Sequence, residues 1–168
     1  MLGADLVLSN NEPIEQSWKK RAEQLGLKQT NVTIFSSMAH TQDQFVMVNV
    51  KAIEPAFPLR GQLEIEPSAK AIQSGEVWLS QRAANLLKVK RGDTVSIADG
   101  SFRFSGLIVR DSNQELGFSG FSPTVIIHQA DITKTHSIQT GSRIDYRLLM
   151  AGSPEQVQTF SEQFKQQH

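Results

Sequence analysis

The chain has no cysteine. Disulfides, thiolate-bound zinc and a cysteine nucleophile are excluded together. No apolar run approaches the roughly 18 residues that a membrane-crossing helix needs. Met1 is not followed by a basic stretch and an apolar stretch, so the pattern of a secretory signal is missing. A predominant charge is missing too: Lys plus Arg and Asp plus Glu each number 17, and the formal net charge is zero. Nucleic-acid binders usually carry a basic stripe. Here the densest basic stretches, Lys19-Lys20-Arg21 and Lys88-Val89-Lys90-Arg91, are short and read as solvated faces. No nucleic-acid partner is expected.

What remains is the composition of a folded domain. A chain of 168 residues fits one domain, or one with a smaller inserted lobe. At this length folding buries roughly 70% of the surface of the unfolded chain, enough for a core without covalent staples. The chain starts in strand-like residues and stops inside an amphipathic helix pattern, as expected of a module cut from something larger.

Residues 5–9 predict a short strand. Pro13 suits the first position of a helix, where its missing N–H costs nothing. Ile14, Trp18, Ala22 and Leu25 then share one helical face, and Gly26 supplies the left-handed stop. Strands follow over 32–39 and 44–53. The second is apolar on both faces at its start and alternates later, which predicts a strand buried on both sides at that end. This β-α-β-β opening predicts an α+β fold, a mixed or antiparallel sheet with helices on one face.

The composition changes at 54–61, where two prolines and a glycine predict a hinge or crossover. Short elements follow. They are a strand at 77–79, a brief helix capped by Ser80, a turn at Gly92-Asp93 into 94–97, and an Asp99-Gly100 hairpin turn into 102–109. Glu64 and Glu66 alternate with Leu63 and Ile65, as on a solvated strand face. Strands at 124–128 and 144–150 return to longer elements. Ser153-Pro154-Glu155-Gln156 forms a capping box before the stripe Val157, Phe160, Phe164. The expected division is 1–58 plus 123–168 for a main, porter-like α+β lobe, and 59–122 for a small β-rich insert.

No catalytic constellation assembles from the sequence, and no catalytic, cofactor or metal residue is assigned. His40 with Asp43, and His128 with Asp131, form His-x-x-Asp pairs; zinc or hydrolase chemistry would need them to converge with a third ligand or a nucleophile. Gly117-Phe118-Ser119-Gly120 has the wrong spacing for a nucleophile elbow. Phe118 and Phe121 stand in a polar loop. They are either core of the lobe junction or an exposed patch contacting a partner.

The order of these motifs resembles a known family. Leu2-Gly3-Ala4-Asp5 is similar to the opening of the extracytoplasmic domains of FtsX/MacB-type ABC transporter permeases. Val50-Lys51-Ala52, Pro58-Leu59-Arg60-Gly61, Gly75-Glu76-Val77-Trp78-Leu79, the stretch from Leu87 to Val95, and Gly141-Ser142-Arg143 continue the pattern. The resemblance covers essentially the whole chain and is nearest to the first periplasmic domain of YbbP-like permeases. It departs at Arg110-Asp111-Ser112-Asn113-Gln114-Glu115, where relatives tend to carry an acidic Glu-Pro-Asp-type stretch.

The resemblance implies a non-enzymatic periplasmic domain of a bacterial inner-membrane permease. It implies mechanotransmission: a cytosolic ABC ATPase drives periplasmic movement, or release of a hydrophobic, lipid-like substrate. It also implies a periplasmic esterase or lysophospholipase as a partner. A domain held between two membrane helices would release both termini on one side. The other readings of the residues are a stand-alone periplasmic binding or adaptor domain and a small hydrolase using His40 or His128.

Overall fold

The computed structural model describes residues 4–69, 71–111, 122–137 and 143–167. Nine strands and four helices lie among them. In chain order they are β1 (Leu6–Asn10), α1 (Gln16–Gln24), β2 (Lys28–His40), β3 (Phe45–Ile53), β4 (Leu63–Glu66), β5 (Glu76–Ser80), α2 (Gln81–Leu87), β6 (Thr94–Ile97), β7 (Gly100–Asp111), β8 (Thr124–His128), α3 (Ile132–Thr135), β9 (Ile144–Ala151) and α4 (Pro154–Gln167).

All nine strands belong to one mixed sheet in the order β1-β9-β2-β3-β8-β5-β7-β4, with β6 pairing both β2 and β7. The β3–β8 and β5–β7 pairs are parallel and the others antiparallel. The extra pairings of β6 close a ring: β2, β3, β8, β5, β7, β6 and back to β2. The seam is short, with Ala39 opposite Ile97 and His40 opposite Ser96. β1 and β9 extend from β2 as an antiparallel wing, and β4 lies beyond β7. β5, β6 and β7 come from the stretch 59–122, and they share the ring with β2, β3 and β8.

Alternation along the strands sorts the core onto two faces. Phe35, Val48, Val50, Val77, Leu79, Phe102, Phe104, Val125 and Ile127 are buried together inside the ring, joined by Ala83, Ala84 and Leu87 of α2 and by Ile132 of α3. On the wing the same face carries Leu148 and Met150, packed on Trp18, Ala22 and Phe160 of α1 and α4. The helices therefore lie on one face of the sheet. Val32, Ile34, Ile53, Trp78, Ile126 and Leu149 point the other way. Phe57, Ile65 and Ile72 cover them, so the stretch after β3 takes the place a second helical layer would fill.

Local chemistry explains most element ends. Ser80 Oγ accepts from Ala83 N at 3.1 Å and caps α2. Ser153 Oγ accepts from Gln156 N at 3.2 Å while Gln156 Oε1 accepts from Ser153 N at 2.8 Å, a complete capping box. Gly26 takes φ +75° behind α1. The sequence expectation differs at three places. Pro13 precedes α1 instead of opening it; the cap is Glu15. In β3 the buried end is the later one, from Val48 to Ile53, while Phe45 and Met47 are exposed. β8 flanks β3 only from Asn49 onward, so the earlier residues have a strand neighbour on one side only. The β6–β7 loop is Ala98-Asp99, with Ala98 at φ 49° and Gly100 already paired with Ile97, one residue earlier than the Asp-Gly dipeptide suggested.

The expectation about the termini has a definite geometry. The Asp5 carboxylate accepts from Gly152 N at 3.1 Å, beside the start of α4. Residue 167 is the far end of that 14-residue helix, about 21 Å away along its axis. The described ends are separated by the length of α4 rather than adjacent.

Candidate functional site

The β2–β3 hairpin ends in a turn closed by its own bonds. Thr41 N donates to Gln44 O at 3.0 Å, and Thr41 Oγ1 accepts from Gln44 N at 3.2 Å. Its outer face carries Met38 opposite Met47 and His40 opposite Phe45. Phe45 is 71% exposed, Met47 50% and Met38 37%. They are three of the five exposed large apolar side chains among the described residues, on one face of one hairpin. A cluster of this kind marks a contact surface more often than scattered single residues do.

The hairpin tip is held in place. The His40 ring stacks on Phe45, with centroids 5.6 Å apart and planes at 16°. His40 Nε2 donates to Ala98 O at 2.9 Å, tying the hairpin to the β6–β7 loop. Beside it opens a groove of about 840 Å³, walled by His40, Thr41, Asp43, Lys88, Asp93 and Ser96 among others. The site therefore combines an apolar face with a polar groove at the end of the ring.

The other residues singled out in the sequence do not meet there. His128 Nδ1 accepts from Ala130 N at 3.0 Å and caps the short turn before α3. The buried Asp131 carboxylate accepts from Ser74 Oγ at 2.5 Å and Gly75 N at 2.7 Å. It fastens the stretch before β5 to the turn after β8. His136 pairs with Asp99 at 2.9 Å, both well exposed. No group of three His, Cys, Asp or Glu side chains placed to hold a metal occurs among the described residues. His40, His128 and His136 have separate structural contacts, and no hydrogen bond among the described residues joins His40 or His128 to a serine or a carboxylate. Phe118 and Phe121 lie outside the described residues.

Two ion pairs escape a sequence reading. Lys51 on β3 meets Asp111 at the end of β7 at 3.1 Å, both nearly buried, with Lys51 Nζ 4.5 Å from the centre of the Phe57 ring. Arg60 in the crossover meets Asp5 at 3.1 Å. The Gly152 N–H first, then Arg60, holds the Asp5 carboxyl below its ordinary 3.8. Each pair joins residues more than 50 positions apart, and no local spacing announces it.

No protein-family model matches the chain. A curated relative does: the ABC transporter permease YbbP of Escherichia coli (strain K12), 30% identical over 158 residues, which are 93% of this chain. The fold matches the extracellular domain of the ABC-type transporter YknZ from Gram-positive bacteria, with a TM-score of 0.60 at 11% identity, covering 92% of this chain and 88% of that one. It also matches the periplasmic region of MacB from Actinobacillus actinomycetemcomitans, with a TM-score of 0.60 at 14% identity, covering 99% and 86%. The chain is similar in sequence to one part of an ABC transporter permease and has the fold of the extracytoplasmic domains of such transporters. The chain spans about a fifth of the length of the curated relative it matches, 19%. A domain of a putative permease from Porphyromonas gingivalis shares the fold, with a TM-score of 0.57 at 12% identity over 96% and 82% of the two chains. No helix among the described residues is long and apolar enough to cross a membrane.

Proposed function

We propose that the chain is a periplasmic domain of an ABC-type permease, a non-catalytic strut that carries movement from the wing to the apolar face of the β2–β3 hairpin. One observation carries this reading: β2 is continuous over 13 residues, about 40 Å of strand. It pairs with β9 over Lys28–Phe35 and with β6 at Ala39 and His40. The wing holds β1, paired with β9, and α4, packed on β9, so displacement of either loads β2 through β9. The stretch 59–122 acts as an insert within 1–58 plus 123–168: it leaves after β3, returns at the neighbouring β8, and closes the ring that stiffens the base of the hairpin.

In the parent permease, a cytosolic ABC ATPase drives the movement, at the inner membrane of a bacterium. The hairpin face then meets a hydrophobic, lipid-like substrate or an apolar surface of a periplasmic partner, for which an esterase or lysophospholipase is the class the resemblance suggests. Phe118 and Phe121 add to that contact.

The test is Phe45→Ser with Met47→Ser in the full-length permease with its ATPase. ATP hydrolysis should persist while substrate movement or partner capture is lost. Undiminished transport would remove the hairpin from the mechanism. Phe118→Ala with Phe121→Ala should lower capture without lowering Tm; lost stability would instead place both rings in the core.

A further inference from the structure

The Asp5 side chain gathers three segments that are far apart in sequence. Its two oxygens face Arg60 Nε at 3.3 Å and Nη2 at 3.1 Å, a forked contact. One of them also accepts from Gly152 N at 3.1 Å, while Asp5 N donates to Met150 O at 2.9 Å. β1, the crossover 54–62 and the turn into α4 thus converge on one carboxylate. Apolar contacts run alongside: Val7 of β1, Ala4 just before it and Leu59 of the crossover pack on the same outer-face cluster. That crossover brings in Phe57, which helps cover the outer face of the sheet. β1 is itself an edge strand, paired only with β9 among the described strands.

We infer that Asp5 and Arg60 form a reversible latch, joining the first strand to the crossover 54–62, so that displacing β1 loosens the cover of the outer face. The inference rests on the proposed strut role, because it needs the chain's first strand to be a point where movement enters. The chemistry suits a latch. Both partners are partly exposed, 43% for Arg60 and 33% for Asp5, so water can replace either one when the pair opens. An exposed pair opens far more readily than a buried one, such as Lys51 with Asp111 at 6% and 9% exposure. The buried pair keeps β3 attached to β7, while the exposed pair lets β1 part from the crossover.

Amide hydrogen exchange on the 168-residue chain tests this. Asp5→Asn should speed exchange in β1 and in 54–62 together, by about threefold each for an exposed pair. Arg60→Gln should do the same to both segments, and the double variant should add nothing beyond either single one. The β3 and β8 amides should keep their rates. Should Asp5→Asn fail to fold, Arg60→Gln gives the same reading from the more exposed partner. Variants that each loosen only their own segment, or whose effects multiply in the double variant, would overturn the latch. A failed exchange test alongside an uncoupled Phe45→Ser, Met47→Ser permease would overturn the latch and leave the strut standing.

Discussion

Gly106 shows how a single position fixes the packing of two strands. A Cβ there would run into the Ile65 side chain and lie 3.0 Å from Trp78 Cδ1. Both neighbours are buried, so neither can swing away. Gly106→Ala should therefore destabilise the domain by about 1–3 kcal/mol, as overpacking does, readable as a lower urea midpoint at unchanged slope. Asp5 gives a pH signature at the same scale. Its folded carboxyl is held below the ordinary 3.8. The stabilisation is therefore full above that value and is lost as pH falls from it through the folded value. Asp5→Asn should remove that part of the acid dependence, and unfolding curves of the two proteins should converge as pH drops. A gap that widened on acidification would contradict the assignment. Neither effect was legible in the sequence: Gly106 falls inside the strand expected over 102–109, and Asp5 closes the Leu2-Gly3-Ala4-Asp5 motif, but nothing local names Ile65 and Trp78, or Arg60 and Gly152, as their neighbours.

At the scale of elements, local rules were good guides wherever an end is closed by neighbouring residues. Ser80 and the Ser153–Gln156 box do what their spacing predicts. Ser80→Ala should cost about 1 kcal/mol, the usual loss of an N-cap. For a chain of this length that is a drop of roughly 2–4 °C in Tm, checked by thermal melts followed by circular dichroism. β5 and β8 were also legible as short apolar runs, and both are buried along their three middle residues. β3 was legible as a strand but not in its burial. An apolar start looks like core until one knows where β8 stops pairing, and that depends on a strand more than 70 residues away. The exposure of Met38, Phe45 and Met47, and with it the candidate site, was hidden for the same reason.

At the scale of the molecule, the ring and its wing set an order of stability. β3, β8 and β5 each have strand neighbours on both sides and side chains buried on both faces. β1 and β4 are edges. Native-state exchange should find the slowest amides in β3, β8 and β5 and the fastest strand amides in β1 and β4, since local opening follows burial and pairing. Slow exchange throughout β1 would argue against a wing that yields. Solved domains of ABC-type transporters and a putative permease share this fold at 11–14% identity. Many sequences therefore build the same two-faced sheet, as expected when pattern and volume matter more than particular side chains.

The sequence by itself determined the alternation of the strands, the caps, the apolar helix stripes and the absence of thiol chemistry, because each of these is set within a few residues along the chain. The ordered motifs were enough to point to a permease family. Only the tertiary structure decided that six strands close on themselves, that a crossover rather than a helix covers the outer face, and that an apolar hairpin face stays open to solvent. Those outcomes depend on which distant strands become neighbours, and pairing over such separations is chosen by the burial of the whole sheet rather than by any local run of residues.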